Sequence, residues 1–593
     1  MKKKLLISAA AAVYTILVLG LCFQVFDMGD IHIGTRVEDP GEVNNVETPA
    51  PPMEPERNLV DAERDFSYQE GPHLEYAAYG QPGRYVESED LVLLEEDRYN
   101  ILVRFQLPEL ERMSEEDAAL KMADLQVFRK MNLLGADSAS FVTPEYNWKK
   151  VYSDSLAELE KTWASFGKTA VYEGETASSL NIFLQEHVGY HVEIGTKKLV
   201  LDETIQVPSN ISIDGQGVEI VSETGIEYAI HMNGVENVVI QNIKLLGGFE
   251  RGIYIVESHH VLLYRNEVAN GGYKGIIVMG DNQYINLVGN SVHDNAWGAV
   301  VFQGSISNSI IQHNTIYANK GPRNLGAGLV LSAVPITDLY RPYEQDHGFD
   351  EYLYNMLDGP HDVVVKDNDI LDNYSSGVYL DGAYEVSVID NRIIDNEKEG
   401  MCLDFGTFGS YIRGNIIRRN GHRNRQTDVD LEKDFVLGLG RMEDGSSTAK
   451  LPGISLDNAA YNIIYDNIVE DNSGTGIKMV RSGFRNLILC NLVTDNNRGQ
   501  NDMYHGFGVE LGYARQPDQE VKGLDFEPDY ENIIARNVIS GVHYSGIYIG
   551  EECYCNDFID NVILDCTQFS VESYSEFFNS SVGNNTNVPM LNF

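Results

Sequence analysis

Three aspartates, Asp381, Asp404 and Asp457, hold the same place in three copies of one short phrase: GVYLDGA from Gly377, GMCLDFG from Gly400 and GISLDNA from Gly453. A fourth copy, GIKMVRS from Gly476, brings Lys478 and Arg481 instead. In every copy the first and third residues after the glycine are apolar and the second and fourth vary, which is the alternation of a strand with one buried face. The aspartates then share the other face, and with neighbouring strands about 4.8 Å apart they form a column of like charges. Carboxylates that close need a bound cation, a shared proton or basic neighbours. Calcium takes oxygen ligands of this kind, so Asp381, Asp404 and Asp457 are the candidate Ca²⁺ ligands. Lys478 and Arg481 are the candidate bases and Tyr379 and His505 the candidate proton donors for removing a proton next to a carboxylate. Glu510 continues the outward row as a substrate contact. A solvated ladder of outward aspartates with no chemistry is the plain alternative.

What positions these residues is a repeat. The phrase recurs from Gly252, Gly275, Gly298, Gly328, Gly508 and Gly546, making ten copies; four of the nine intervals are 23 residues and the others are 30, 49, 53, 32 and 38. Asparagines return between phrases at matching offsets, as in RNEVAN, DNRIIDN and DNIVEDN. They suit turns, because they tolerate unusual backbone angles and bond to neighbouring chain. Three short strands per unit, stacked unit on unit, give an all-β fold, a right-handed parallel β-helix. A leucine-rich repeat would show a leucine framework, and a propeller blade needs about 40 to 45 residues.

The longer intervals are insertions. Asn319 to Ala327, Gly421 to Pro452 and Asn496 to Phe507 precede the glycine phrase, while Pro335 to Pro360 and Tyr513 to Tyr530 follow it. All flank one strand stack, so they wall a groove suited to an extended polymer. The run RRNGHRNR offers Arg418, Arg419, Arg423 and Arg425 to a sugar carboxylate, since guanidinium matches carboxylate geometry bidentately; acids later in the same loop are the competing partners. Tyr343, in a tyrosine-rich insertion, is a candidate stacking platform for a sugar.

From about Thr176 to Cys566 the chain resembles the pectin-lyase-like β-helix superfamily, which includes pectate lyases, polygalacturonases and uronan epimerases. The resemblance implies a capping helix, here SSLNIFLQEHVG, then a GxG turn at Gly215 and Gly217, and a polysaccharide substrate. Calcium-dependent lyases of that superfamily join a carboxylate cluster to a Lys or Arg base, and the aspartate column followed by Lys478 and Arg481 is similar. Polygalacturonases set aspartates on adjacent coils with a basic pair later, which Asp381, Asp404 and Lys478 resemble. Gly359, Pro360, His361 and Asp362 look like the epimerase aspartate-proline-histidine-acid motif with glycine in the first place, although the alignment of PHDVVVKDN puts His361 at a turn.

The chain has 593 residues and a formal charge of -45, which excludes nucleic acid as a partner. Six cysteines are too few for a disulfide framework. Residues 1–26 join Lys2, Lys3 and Lys4 to an apolar run long enough to span a bilayer, so an uncleaved membrane anchor with an extracytoplasmic body is expected, with secretion after signal cleavage as the alternative. An acidic, proline-bearing linker follows to residue 65, then a small α+β domain over 66–175 with two helices, one starting at a cap-like Ser114 and Asp117, then the β-helix to 593. The expectation is a surface-anchored lyase or carbon-5 epimerase of uronate-containing polysaccharide; its rivals are a glycoside hydrolase using paired aspartates and a glycan-binding β-helix without catalysis.

Overall fold

The computed structural model describes residues 144–321, 326–333, 359–404, 407–421, 451–457, 459–480, 483–497, 506–512, 529–541, 543–550, 553, 556–564, 566, 569–573, 581–583 and 586–588. Residues 1–143, with the expected anchor, linker and most of the small domain, lie outside these. Among the described residues no helix is long and apolar enough to cross a membrane.

The strands wind into a parallel solenoid. One flank is a 13-stranded parallel sheet, and the other two belong to a 28-stranded sheet that turns a corner. The 13-stranded sheet is built from the glycine phrases, Val378–Asp381 pairing with Met401–Asp404 and Ile454–Asp457 with Ile477–Val480. The leading glycines are a packing requirement. A Cβ on Gly377 would stand 2.4 Å from Ile393 Cγ2, and one on Gly400 equally close to Ile417 Cγ2. Val378, Leu380, Met401 and Leu403 are wholly buried inside.

Asparagines form ladders along the solenoid interior. Asn391 donates from its backbone N and from Nδ2 to Oδ1 of Asn415, at 2.9 and 3.0 Å, and Nδ2 also donates to Val365 O at 2.9 Å. Asn415 repeats the pattern toward Asn467, and Asn467 toward Asn491. These buried amides are therefore satisfied, which is what makes them tolerable in an apolar interior. The left-handed backbone at these turns falls on the residue before the asparagine, as at Asp390, Asp466 and Cys490. The ladder asparagines thus serve through their side chains and not, as the turn argument has it, through their own backbone angles.

Helix Ala177–Glu186 caps the first coil. Thr176 accepts from Ser179 N at its start, and Ala177, Leu180 and Leu184 face the core. The GxG turn lies in strand Ile211–Val221, where the register shifts between Asp214 and Val218 and Gly217 takes a φ of +81°. The described end of the segment assigned to a small domain belongs with the solenoid. Strand Thr169–Tyr172 pairs with His191–Ile194. Helix Pro144–Ala164 lies along the outer face of the 28-stranded sheet, across strands Glu236–Leu245, His259–Tyr264, Asn282–Val288, Ser309–Gln312 and Val363–Lys366. Tyr152 Oη donates to Gln312 Oε1 at 2.8 Å, and Trp163 meets Tyr264 edge-on.

Candidate functional site

Register fixes which outward side chains of the 13-stranded sheet are neighbours. One column runs Val330, Tyr379, Cys402, Ser455, Lys478, Glu510. The adjacent column runs Gln303, Ser332, Asp381, Asp404. Asp457 closes its strand opposite Val480. Tyr379 Oη donates to Asp404 Oδ2 at 2.6 Å, and Ser332 Oγ donates to Asp381 Oδ2 at 3.3 Å. Outward here does not mean exposed: Tyr379, Cys402, Asp381 and Asp404 are all under a tenth exposed, while Asp457 is half-buried. Burial, and then the carboxylates of Asp404 and Asp381, push the Tyr379 phenol well above its ordinary range, so it is a neutral hydrogen-bond donor. Burial does the same to the Cys402 thiol, helped by Asp404 and Glu399, which makes it a protonated thiol and a poor nucleophile.

Further along, Lys478 Nζ lies 2.8 Å from Glu510 Oε1, and Thr475 Oγ1 donates to Glu510 Oε2 at 2.8 Å. Glu510 is fully buried; the Lys478 side chain is 24% exposed. The ion pair with Glu510 holds Lys478 in place on the sheet face.

A further acid belongs to this group and was not found by sequence reasoning. Asp529 is completely buried, accepting from Gly483 N at 2.7 Å and from Gly512 N. Burial pushes its carboxyl up to about 7; the two backbone N–H groups oppose the shift, Glu510 adds to it and Lys478 reduces it. The signal was present. Bridges link Tyr384, Phe408, Ala460, Phe484 and Tyr530 from coil to coil. The residue before each is Ala383, Thr407, Ala459, Gly483 and Asp529, so an acid stands where the other coils carry small or hydroxyl residues. Gly483 makes the room, since a Cβ there would sit 3.1 Å from Asp529 Oδ1.

Other candidates part from this group. Arg418 pairs with Glu470, and Arg419 grips Asp395 through two bonds of 2.7 and 2.6 Å, on strand Ile416–Arg418 and the turn after it in the 28-stranded sheet. Their described partners come from neighbouring coils. Arg423, Arg425, Tyr343, Arg481 and His505 lie outside the described residues, as do most of the expected groove walls. His361 sits at a turn, its ring stacked on Tyr384 at 4.6 Å. A half-exposed aromatic platform that sequence reasoning missed lies on the same sheet nearer the amino end. Tyr254 stacks with Tyr228 at 4.8 Å and His231 at 5.5 Å, and Arg251 lies over the Tyr228 ring.

Calcium was expected on Asp381, Asp404 and Asp457 together. Among the described residues no three His, Cys, Asp or Glu side chains group so as to hold a metal ion. Hydroxyls of Tyr379 and Ser332 occupy oxygens that such a cage would use.

Residues 228–417 match the family described as right handed beta helix region, and residues 350–509 match the family described as periplasmic copper-binding protein (NosD). No curated protein sequence matches the chain. Among solved structures it is similar to a mannuronan C-5 epimerase A-module of Azotobacter vinelandii, at 12% identity and a TM-score of 0.41, covering 70% of this chain and 100% of that one. It is also similar to PfbA, a surface adhesin of Streptococcus pneumoniae, at 11% identity and a TM-score of 0.37, covering 67% and 88%. A third is the catalytic domain of an alpha-1,3-glucanase, at 11% identity and a TM-score of 0.38, covering 71% and 68%. The registered coils together with the match over residues 228–417 make this chain a right-handed parallel β-helix.

Proposed function

We propose that the protein acts on an extended, uronate-containing polysaccharide along the outer face of the 13-stranded sheet, as a lyase or carbon-5 epimerase. The observation that carries the reading is a neutral phenol bonded to a carboxylate, Tyr379 to Asp404, beside a second carboxylate, Asp381, in the same registered column. In the proposed reaction the C5–H bond breaks and its proton passes to Asp404. In elimination the electron pair forms the C4–C5 double bond, the C4–O bond breaks, and Tyr379 Oη protonates the leaving oxygen. In epimerisation Asp404 keeps the proton it took and the C5 carbanion takes another from water on the opposite face. Lys478, further along the registered column of Tyr379, is the cation offered to the sugar carboxylate, and Tyr228 and Tyr254 offer faces to neighbouring rings. No step passes through calcium. The Lys2–Lys4 charges before the apolar run, and the likeness to a family whose name is periplasmic, support a body outside the cytoplasm.

A hydrolase reading rests on a different observation: Asp381 and Asp404 are register partners, about 4.8 Å apart by strand spacing, close to the carboxyl separation of about 5 to 5.5 Å in retaining glycosidases. One experiment separates them. The protein is incubated with uronans and neutral glycans, with and without chelator, and read by absorbance of unsaturated product, by reducing ends and by proton exchange at carbon five. Unsaturated product or exchange, lost in Tyr379→Phe and indifferent to chelator, is expected. New reducing ends alone mean hydrolase; retention of glycan with none of the three signals means a binding protein.

A further inference from the structure

The outer face of the 28-stranded sheet carries an apolar column longer than the helix that lies on it. Helix Pro144–Ala164 covers the side where Val239, Leu262, Ile310 and Val364 point outward, all buried. In register with Val364 the column continues through Ser387 to Tyr411, Ile463, Leu487 and Ile533. Tyr411, Ile463 and Leu487, with Ile389, Leu489 and Ala535 beside them, form one apolar cluster in which none exceeds 4% exposure. The described residue from outside the sheet that packs on it is Trp148, from the first turns of the helix. The Trp148 indole N–H is itself buried with no acceptor among the described residues.

Direction matters here. Trp163 meets the early strand His259–Tyr264, and Trp148 meets the later strands, so the helix runs back along the solenoid with its amino end at Pro144 on the side of this cluster. The strands from Ser387–Ile389 to Ile533–Ala535 are five successive coils, spanning about 19 Å at 4.8 Å each. The segment Ala118 to Leu134, read from the sequence as a helix behind Ser114 and Asp117, is about 25 Å long at 1.5 Å per residue. Leu120, Ala123, Val127, Met131 and Leu134 fall on one side of it, with the spacing of a helix that buries a stripe.

We infer that residues 118–134 dock as an amphipathic helix over the Tyr411, Ile463 and Leu487 column, extending the cover begun by Pro144–Ala164, so that the amino-terminal segment clamps the solenoid instead of standing off as a separate domain. The inference is independent of the reaction proposed above. The occupant is this segment, because it matches the column in length and apolar spacing and is tethered at the correct end.

Cys490 reports on the docking, since it packs against the cluster. In the full-length protein its alkylation, followed by mass spectrometry, is expected to quicken about tenfold or more in Val127→Asp with Met131→Asp, while buried Cys553 stays protected. Equal Cys490 rates in parent and variant overturn the proposal, and so does protection that falls on dilution, which would make a second copy the cover. Amide exchange in the unaltered protein gives a test that no variant's folding can confuse. Residues 118–134 should exchange at least about a hundredfold more slowly than an unfolded chain, and exchange at unfolded-chain rates overturns the docking.

Discussion

Replacing Asp529 with asparagine should flatten part of the pH dependence of stability, and the size follows from its setting. In the fold its carboxyl rises from an ordinary 3.8 to about 7, chiefly through burial. An acid whose folded value is raised stays protonated in the native state while the unfolded chain ionises, so stability falls as pH climbs from 3.8 to about 7 and is level beyond. The full loss is about 4 kcal/mol, of which about 2.7 kcal/mol falls between pH 5 and pH 8. Asparagine keeps one acceptor for Gly483 N but turns its amide N–H toward the N–H of Gly512 or the reverse, a pH-independent cost of about 1 to 3 kcal/mol. Urea unfolding of parent and Asp529→Asn should therefore show the variant weaker at pH 5 and the gap closed or reversed at pH 8. The readout is the change in the difference, because both proteins share every other titrating group. Parallel profiles across that range would refute the reasoning that Asp529 is a protonated acid held inside the coil.

Tyr379→Phe removes the donor to buried Asp404 and should cost about 1 to 3 kcal/mol in denaturation; on the identified substrate, turnover should drop about a hundredfold, and unchanged turnover takes Tyr379 out of the chemistry. Asn415→Ala strips the acceptor from two Asn391 donors and should destabilise by at least about 2 kcal/mol in urea. Calcium should shift the melting temperatures of parent and Asp404→Asn equally, since the hydroxyls of Tyr379 and Ser332 already engage Asp404 and Asp381; a larger shift in the parent would restore the metal.

Much of the solenoid is visible in the sequence because its packing rule is local: the residue at the start of each glycine-phrase strand must be small, and in nine coils it is glycine. In the other four strands of the 13-stranded sheet that register position holds Ala299, just behind the Gly298 that marked the phrase, and Thr204, Ala229 and Ser570 for Ile205–Gln206, Ile226–Asn233 and Phe569–Ser573, where the missing glycine hid the phrase. The capping helix was legible for the same reason, its apolar residues facing a core end that must be closed. Alternation told which way Tyr379, Asp381 and Asp404 point but not that this side is buried, since alternation distinguishes faces and is silent about what lies over them. Asp529 was hidden by the insertion before it, and Arg418 and Arg419 misled because their acids, Glu470 and Asp395, are a coil away and remote in sequence. Helix Pro144–Ala164 was read with a separate domain because an amphipathic pattern names a buried face without naming its partner.

The asparagine ladders also have a direction. Each side-chain amide receives at Oδ1 from the preceding coil and donates from Nδ2 to the next, so the amide dipoles align head to tail along the solenoid and add as peptide dipoles do in a helix. Such a row ends on an unspent N–H at its carboxyl end. In the ladder through Asn472 and Asn496 the terminus falls on His543, whose Nε2 faces Asn496 N and Nδ2 at 3.3 Å. Burial depresses that imidazole to about 3, leaving it neutral. A neutral ring nitrogen accepts the last bond of the row, whereas an imidazolium would set charge against the positive pole; His543 is in effect the electrical terminator of a dipole several coils long.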